Sequence, residues 1–595
     1  MKPLIIAITL WALFSPLRAQ QEWVVDEVIF TGNQNISSGE LLETMTLQPR
    51  GIFRKVTFSI PRLSRDISSI EAYYRHRGFL DANVEDFSIV RDSLTMMVTV
   101  VLFIDEGKLT TIDSVIFRGN KVFNDSFYRT ALPLRAGDPL DSTLVEQSAL
   151  TIADSLTQRA HLFTNVTYSM VPPEGKQNRG ARVIFSIREG PLVRAGEFQF
   201  TGLQSVRETV VQRELLFSQG DLLTAGKITQ SVERLYNTGL FRFVNIIPVE
   251  SPASPGDTLD AGVILALSER DMFDIQLGGG YGTYTGWYAQ LELIYRNLFG
   301  LGHRVGTGGI WAEVERGVEL SYLYPRVFNS PLSLDTRSFW ETREQAGVEG
   351  NFYGGRTAAV FPFRDFTMRG WFEAEFPAWI REPPPTPLYP PTPLDNTYLL
   401  GWSISRDTRQ NIISPELSSV VRADLEIAGL IPAGYRFYRI RFDLRNFFPL
   451  TERLTFSWGV QSALGSAWGD YESSLFPPQE RFRLGQRGIW AVRGYEEEDL
   501  MPVDELGNVR GGEVSVVANV FELRFSFLRN IQGALFMDAG RVWRDFDDLF
   551  SPGLQFSAGP GLILFLPFAL ARLDYGVPLF PLSSGRFHFS LGPAF

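Results

Sequence analysis

Four consecutive residues, Val492-Arg493-Gly494-Tyr495, carry the most specific chemistry in this chain. An arginine presented on a glycine turn offers five N–H donors in a rigid planar fork, a geometry that carboxylates match in pairs. Two acidic residues downstream, Glu522 and Asp538, stand where a loop folded back on its own scaffold would meet them. A guanidinium withdrawn from water is costly unless it finds such counter-charges. The chemistry expected of this constellation is therefore positional: charge-assisted hydrogen bonds that hold a loop, with no bond made or broken. In a hydrated setting each exposed pair would contribute about 1 kcal/mol or less, and more if partly desolvated, enough to place a loop and too little to hold a scaffold together.

Composition excludes the competing chemistries. The 595 residues contain no cysteine, which removes thiolate metal sites and thiol nucleophiles. The four histidines, His76, His161, His303 and His588, are scattered, and neither an HExxH helix nor a GxSxG elbow occurs. No catalytic residue, metal site or cofactor is expected, and the chain is not expected to be an enzyme. The net charge is −11 and no Lys/Arg-rich block appears, so no nucleic-acid partner is expected.

The elements that must position the arginine fall into two regimes. Residues 1–19 read as a secretory signal peptide: Lys2, an apolar stretch from Leu4 to Phe14, Pro16 and the small Ala19. No later apolar run reaches helix-spanning length, so a membrane would have to be crossed by a closed β-barrel. From there to about residue 270 a pattern recurs three times, each copy opening on an alternating strand that ends in an aromatic-x-Gly turn: Phe30-Thr31-Gly32, Phe117-Arg118-Gly119 and Phe200-Thr201-Gly202. Amphipathic helices follow, with Ile67, Ile70 and Tyr74, then Val145, Ala149, Ile152 and Leu156, then Ile228, Val232 and Leu235 at helical spacing. Gly78 and Gly239 close two of them, and the middle copy has Ala160 in that place. Glu106-Gly107 and Glu189-Gly190 end two of the copies.

Beyond about Asp271 the period becomes two. Trp287, Ala289, Leu291, Leu293 and Tyr295 alternate with Gln290, Glu292 and Arg296; Ile440, Phe442 and Leu444 alternate with Arg439, Arg441, Asp443 and Arg445. A wall apolar on one side and charged on the other suits lipid outside and water inside. At about 20 residues per strand and connection, residues 271–595 allow roughly 16 strands. The expected fold is thus a set of α+β periplasmic repeats, three βααββ domains at 22–107, 108–190 and 191–270, followed by an all-β, 16-stranded transmembrane β-barrel at 271–595. Within the strand from Val514 to Phe527, parity places Glu522 and Arg524 toward the lumen. The proline-rich stretch Glu382 to Pro393 is expected to be a stiff surface loop, with a partner-binding motif as the other reading.

The β-α-α-β-β order resembles the POTRA domain of outer-membrane assembly and translocation proteins. The barrel region resembles that of the BamA/TamA superfamily, on Asn297-Leu298-Phe299-Gly300, Phe482-Arg483-Leu484-Gly485, Val492-Arg493-Gly494-Tyr495, Glu522-Leu523-Arg524-Phe525, Phe536-Met537-Asp538-Ala539-Gly540-Arg541-Val542-Trp543 and Phe595. Gln486 departs from that pattern, where the family usually has a second glycine. The resemblance implies a bacterial outer-membrane location with the N-terminal domains in the periplasm, unfolded outer-membrane protein clients, and periplasmic or lipoprotein accessory factors.

Barrel closure joins the first strand, with Gly278, Gly279 and Gly280, to the last, with Gly592, Pro593 and Phe595. Glycines bring no side chains to pack and proline donates no ladder bond, so a lateral seam that opens to template incoming strands is expected there. The expected function is insertion of clients at that seam. A specialised TamA-like or secretion-type translocator of autotransporters, secreted proteins or lipid is the alternative, and a passive porin a more distant one.

Overall fold

The computed structural model describes residues 23–50, 56–171, 180–250, 258–283, 286–345, 348–391, 394–409, 417–431, 433–451, 453–469, 476–485, 490–496, 498–528, 530–566 and 569–592. The signal peptide at 1–19, Gln486, Pro593 and Phe595 lie outside the described residues. Two compact units form, the first from described residues within 1–201, 215–233 and 245–266, the second from those within 202–214, 234–244 and 267–595. The third repeat is thus shared between them.

Each repeat is a three-stranded sheet covered by two helices. In the first, β1 (Val24–Thr31), α1 (Ser38–Thr44), α2 (Ile60–His76), β2 (Asn83–Asp92) and β3 (Met97–Asp105) give the strand order β1-β3-β2, with β1 and β3 parallel. The second, β4 (Thr111–Arg118), α3 (Asp125–Ala131), α4 (Ser142–Thr157), β5 (Asn165–Val171) and β6 (Gly180–Arg188), repeats it, as does the third with β7 (Leu192–Thr201), α5 (Glu208–Gln212), α6 (Ala225–Asn237), β8 (Phe241–Val249) and β9 (Thr258–Glu269). The helical stripe of the sequence is the core: Ile70 and Tyr74 pack with Val98, Val100 and Leu102 in the first repeat, Val145, Ile152 and Leu156 with Val183 and Phe185 in the second.

The aromatic-x-Gly turn has a steric cause. Gly32, Gly119 and Gly202 all have positive φ, and a Cβ at each would lie 2.1, 2.5 and 1.9 Å from the carbonyl oxygens of Ile104, Ile187 and Leu267. Two residues beyond each carbonyl sits a carboxylate that secures the same turn. Glu106 accepts from the Asn35 and Ile36 backbones, the Asn35 amide and Tyr74 Oη; Glu189 accepts from the backbones of Lys121, Val122 and Phe123 and from Tyr128 Oη. Glu269 does the same for Gln204, Ser205 and Val206. Burial alone would raise these carboxyls, but the converging donors outweigh it and hold all three below the ordinary glutamate range.

Where the first and third repeats use Gly78 and Gly239 to leave the helix, Ala160 occupies the left-handed region at φ +68°. The turn is kept because the Ala160 carbonyl accepts from Val193, 2.8 Å away.

Sixteen antiparallel strands, β10 (Phe273–Gly282) to β25 (Arg586–Gly592), close a barrel. Trp287, Trp311, Trp340 and Leu277 project outward and are exposed, whereas Glu375, Asp424, Glu426 and Glu522 are buried in the lumen. Within the second unit, residues 202–214 and 234–244 meet the near turns of the barrel. Glu214 takes a bidentate pair from Arg326 at 3.1 and 2.5 Å, Arg304 donates to the Thr238 carbonyl at 2.7 Å, and Asn297 bridges Ser205 and the Gly302 backbone.

Two expectations follow. Because the folded-state pKa of Glu106 is depressed, its stabilisation is complete above the unfolded value near ~4.3 and is lost as pH falls through the lower folded value. Glu106→Gln should cost about 1–3 kcal/mol and lower the amide-exchange protection factors of Asn35 and Ile36 in the full-length chain, both measured at pH 6, relative to the parent. Ala160→Gly should stabilise the second repeat by about 0.5–1 kcal/mol, read as a higher urea midpoint with an unchanged slope.

Candidate functional site

Loop residues from Trp468 to Glu513 join strand β20 (Leu454–Ala467) to β21 (Val514–Leu528), and their tip descends into the lumen. There Arg493 meets two carboxylates from the wall. Its Nε and Nη2 donate to the two oxygens of Asp538 at 2.6 and 2.7 Å, and Nη1 donates to Glu522 Oε2 at 2.9 Å. The Arg493 backbone N–H adds a third bond to Asp538 at 3.2 Å. Asp538 lies on β22 (Ile531–Trp543), directly across from Asn519, whose amide also donates to it at 2.8 Å. Beneath the guanidinium, the Phe536 ring centroid is 3.5 Å away.

The cluster extends further than the loop arginine. Glu522 also accepts from Arg524 at 2.6 Å and Arg572 at 2.7 Å, and Arg572 reaches Asp574 on β24 (Leu570–Pro578) at 2.7 Å. Asp574 stands 3.7 Å from Arg493. Arg493, Arg524 and Arg572 thus share Glu522, Asp538 and Asp574. The side chains of Arg493, Glu522 and Asp538 are only 14, 4 and 5 % exposed, so these are the desolvated pairs and not the water-screened ones.

The neighbours of Arg493 are fitted with comparable closeness. Gly494 has φ +98° and lies against Gly576 of β24, where a Cβ would approach the Gly494 nitrogen to 2.5 Å. Neither position has room for a side chain. Val492 and Tyr495 are buried, the latter donating to the Phe556 carbonyl at 3.1 Å. The Gly494 N–H donates to His588 Nε2 at 2.7 Å, and Glu496 pairs with Arg586, so the loop tip also grips the last strand.

At the barrel junction, β10 and β25 share two register pairs among the described residues, Tyr281 with Leu591 and Gly282 with Ser590, whereas β10 and β11 (Gly286–Leu298) share ten. Thr283 adds side-chain and backbone bonds to Phe589. Gly278 and Gly279 lie on the part of β10 with no β25 partner among the described residues. Gly280 is adjacent to the junction, where a Cβ would come within 2.0 Å of the Leu591 carbonyl; Gly592 lies beneath the Tyr288 hydroxyl.

Sequence reading missed Arg572, Asp574, Phe536 and His588. Their only signal is inward parity on the last strands, visible once the strands are in register. The histidines all have local partners: His76 bonds Ser142 and Thr143, His161 the Gly190 carbonyl, His303 the Tyr322 hydroxyl. Among the described residues no group of three or more His, Cys, Asp or Glu side chains is placed to hold a metal.

Comparison with known proteins places this architecture. The Omp85 superfamily domain matches residues 297–595, and the POTRA family, described as a surface antigen variable number repeat, matches 24–107, 110–190 and 193–269. A relative from Treponema pallidum is 23% identical over 325 residues, 53% of this chain and 38% of its own length. The outer membrane protein assembly factor BamA of Neisseria meningitidis serogroup B is 22% identical over 650 residues, 96% of this chain and 78% of that one. The crystal structure of BamA from Haemophilus ducreyi lacking POTRA domains 1–3 superposes with a TM-score of 0.66 at 18% identity, covering 82% of this chain and all of that one. With a superfamily match over half its length behind three POTRA repeats, the chain belongs to the Omp85 superfamily, as an outer-membrane β-barrel with periplasmic POTRA domains.

Proposed function

We propose that this chain is an outer-membrane protein assembly factor, in which the POTRA repeats capture unfolded β-barrel clients and the β10–β25 seam opens laterally to template their strands into the bilayer. The observation that carries this reading is the contrast, among the described residues, between two register pairs at the seam and ten at the adjoining junction. An unpaired strand edge is a template for β-augmentation, and lipid offers its N–H and C=O groups no other partner. In the repeats, the edge strands β2, β5 and β8 present exposed apolar side chains, Phe87 and Val90, Tyr168 and Met170, Phe243 and Ile247, beside their open edges. These suit an extended apolar client, and other edges would remain for periplasmic or lipoprotein accessory factors.

Arg493 in this reading fixes the loop tip against β21, β22, β24 and β25, the wall that ends at the seam. A specialised TamA-like role, in translocation of an autotransporter, a secreted protein or lipid, is favoured by one feature, the number of repeats. Depletion in cells separates them: broad loss of barrel proteins marks general assembly, loss of one secreted or envelope component marks specialisation.

Two measurements test the mechanism. Arg493→Ala leaves Glu522 and Asp538 without their shared cation, a loss on the order of 3–5 kcal/mol borne by loop docking; the barrel should stay folded while client insertion into liposomes slows about tenfold or more. Full activity in that variant would end the clasp reading. A disulfide between Gly282→Cys and Ser590→Cys, register partners in a chain with no other cysteine, should block insertion until reductant is added. Unimpaired insertion with the seam locked would rule out lateral opening.

A further inference from the structure

The proline-rich stretch that follows Arg381 makes specific contacts with the long loop. Pro383, Pro384 and Pro385 offer carbonyl acceptors and no N–H donors, and a guanidinium offers donors and no acceptor. Arg510, on the return arm of the long loop, supplies that complement: Nη1 donates to the Pro383 carbonyl at 3.2 Å and Nη2 to that of Pro384. Its Nε is held by Asp504 at 2.9 Å, and both side chains are buried. Asp504 is itself fixed by the Leu506 and Asn508 backbones across a turn at Gly507, so the fork is aimed before it meets the prolines.

A second contact clamps the same place. Thr386 and Tyr389 close a tight turn by mutual backbone bonds of 2.9 and 3.0 Å, which sets the Tyr389 ring between Arg481 at 4.7 Å and Arg510 at 5.2 Å. Arg481 belongs to the outgoing arm of the long loop, Arg510 to the return arm. One residue on from Arg481, Phe482 pairs with Gly512 by backbone bonds of 2.8 and 3.1 Å. Tyr389 is 4 % exposed, and its hydroxyl has no hydrogen-bond partner among the described residues, so the ring acts through its faces. The Leu388 N–H donates to Glu505 Oε1 at 3.1 Å as a further stitch.

We propose that the proline-rich segment is a latch that closes the neck of the long loop, with Tyr389 and Arg510 as positioning residues for Arg493. This inference rests on the reading of Arg493 as the loop clasp. Pinning both arms at one neck shortens the free span between them, which lowers the entropy that clasp formation must overcome. The stiffness of the prolines is then functional: a rigid acceptor holds Arg510 still, where a flexible one would follow it.

A reporter cysteine at the buried Val492, in the full-length chain folded in liposomes, measures loop withdrawal through its rate of labelling by an impermeant maleimide. Arg510→Ala and Tyr389→Ala should each raise that rate about tenfold or more as the open population grows, with the barrel's resistance to heat unfolding unchanged. Tyr389→Phe should label like the parent. If Arg510→Ala fails to fold, Arg510→Lys, which keeps the charge but not the planar fork, and Tyr389→Ala, which leaves Arg481 and Arg510 in place, carry the test. Labelling of these variants within about twofold of the parent overturns the latch, as does a Tyr389→Phe rate matching Tyr389→Ala. Arg493→Ala in the same reporter separates the two ideas. Faster labelling there with none in the Arg510 and Tyr389 variants leaves the clasp standing without the latch; the reverse removes the clasp and with it the positioning role of Tyr389 and Arg510.

Discussion

A guanidinium brought into the interior of a barrel dictates the arrangement around it. Arg493 would be untenable among desolvated walls without Glu522 and Asp538, and Asp538 would be costly without it. From that mutual requirement follows the inward parity of β21 and β22, the asparagine that steadies Asp538, and the glycine pair that lets two backbones approach. The additional arginines Arg524 and Arg572 keep Glu522 in charge balance. The loop is therefore an integral part of the wall on this side of the lumen.

The repeats solve a smaller version of the same problem. A buried carboxylate near the end of the third strand collects the N–H groups of the turn that follows the first, and a glycine beneath the strand's carbonyl leaves space for that turn. The three glutamates thus connect the two ends of each repeat. Desolvation argues against them and convergent hydrogen bonding prevails, as the lowered pKa of each records.

Much of this was legible in the sequence because it is local. Period-two alternation marks a two-faced wall, the recurrent aromatic-x-Gly marks a turn, and Arg493 with Glu522 and Asp538 is suggested by charge type and parity. What was not legible depends on register. Asp574 and Arg572 reach the clasp because β24 stands two strands from β22, and His588 reaches Gly494 because β25 stands beside β24. The Glu-Gly junctions were visible at 106 and 189, but Glu269 lacks the following glycine and only its hydrogen bonds reveal the equivalence. The proline stretch read as stiff; that Arg510, more than a hundred residues later, is its complement follows from the packing of two loops.

The seam pairs at Tyr281 and Gly282, the far end of β10, and leaves the run from Phe273 to Gly280 without a β25 partner among the described residues. In mechanical terms, a junction bonded along its full length, like β10 with β11, is loaded in shear, and all its hydrogen bonds must yield together. A junction bonded at one end is loaded in peel, and its bonds take the strain one after another. In the proposed lateral opening, tension from the surrounding bilayer would fall first on the hydrogen bonds around Thr283, which would give the parting a place and a direction.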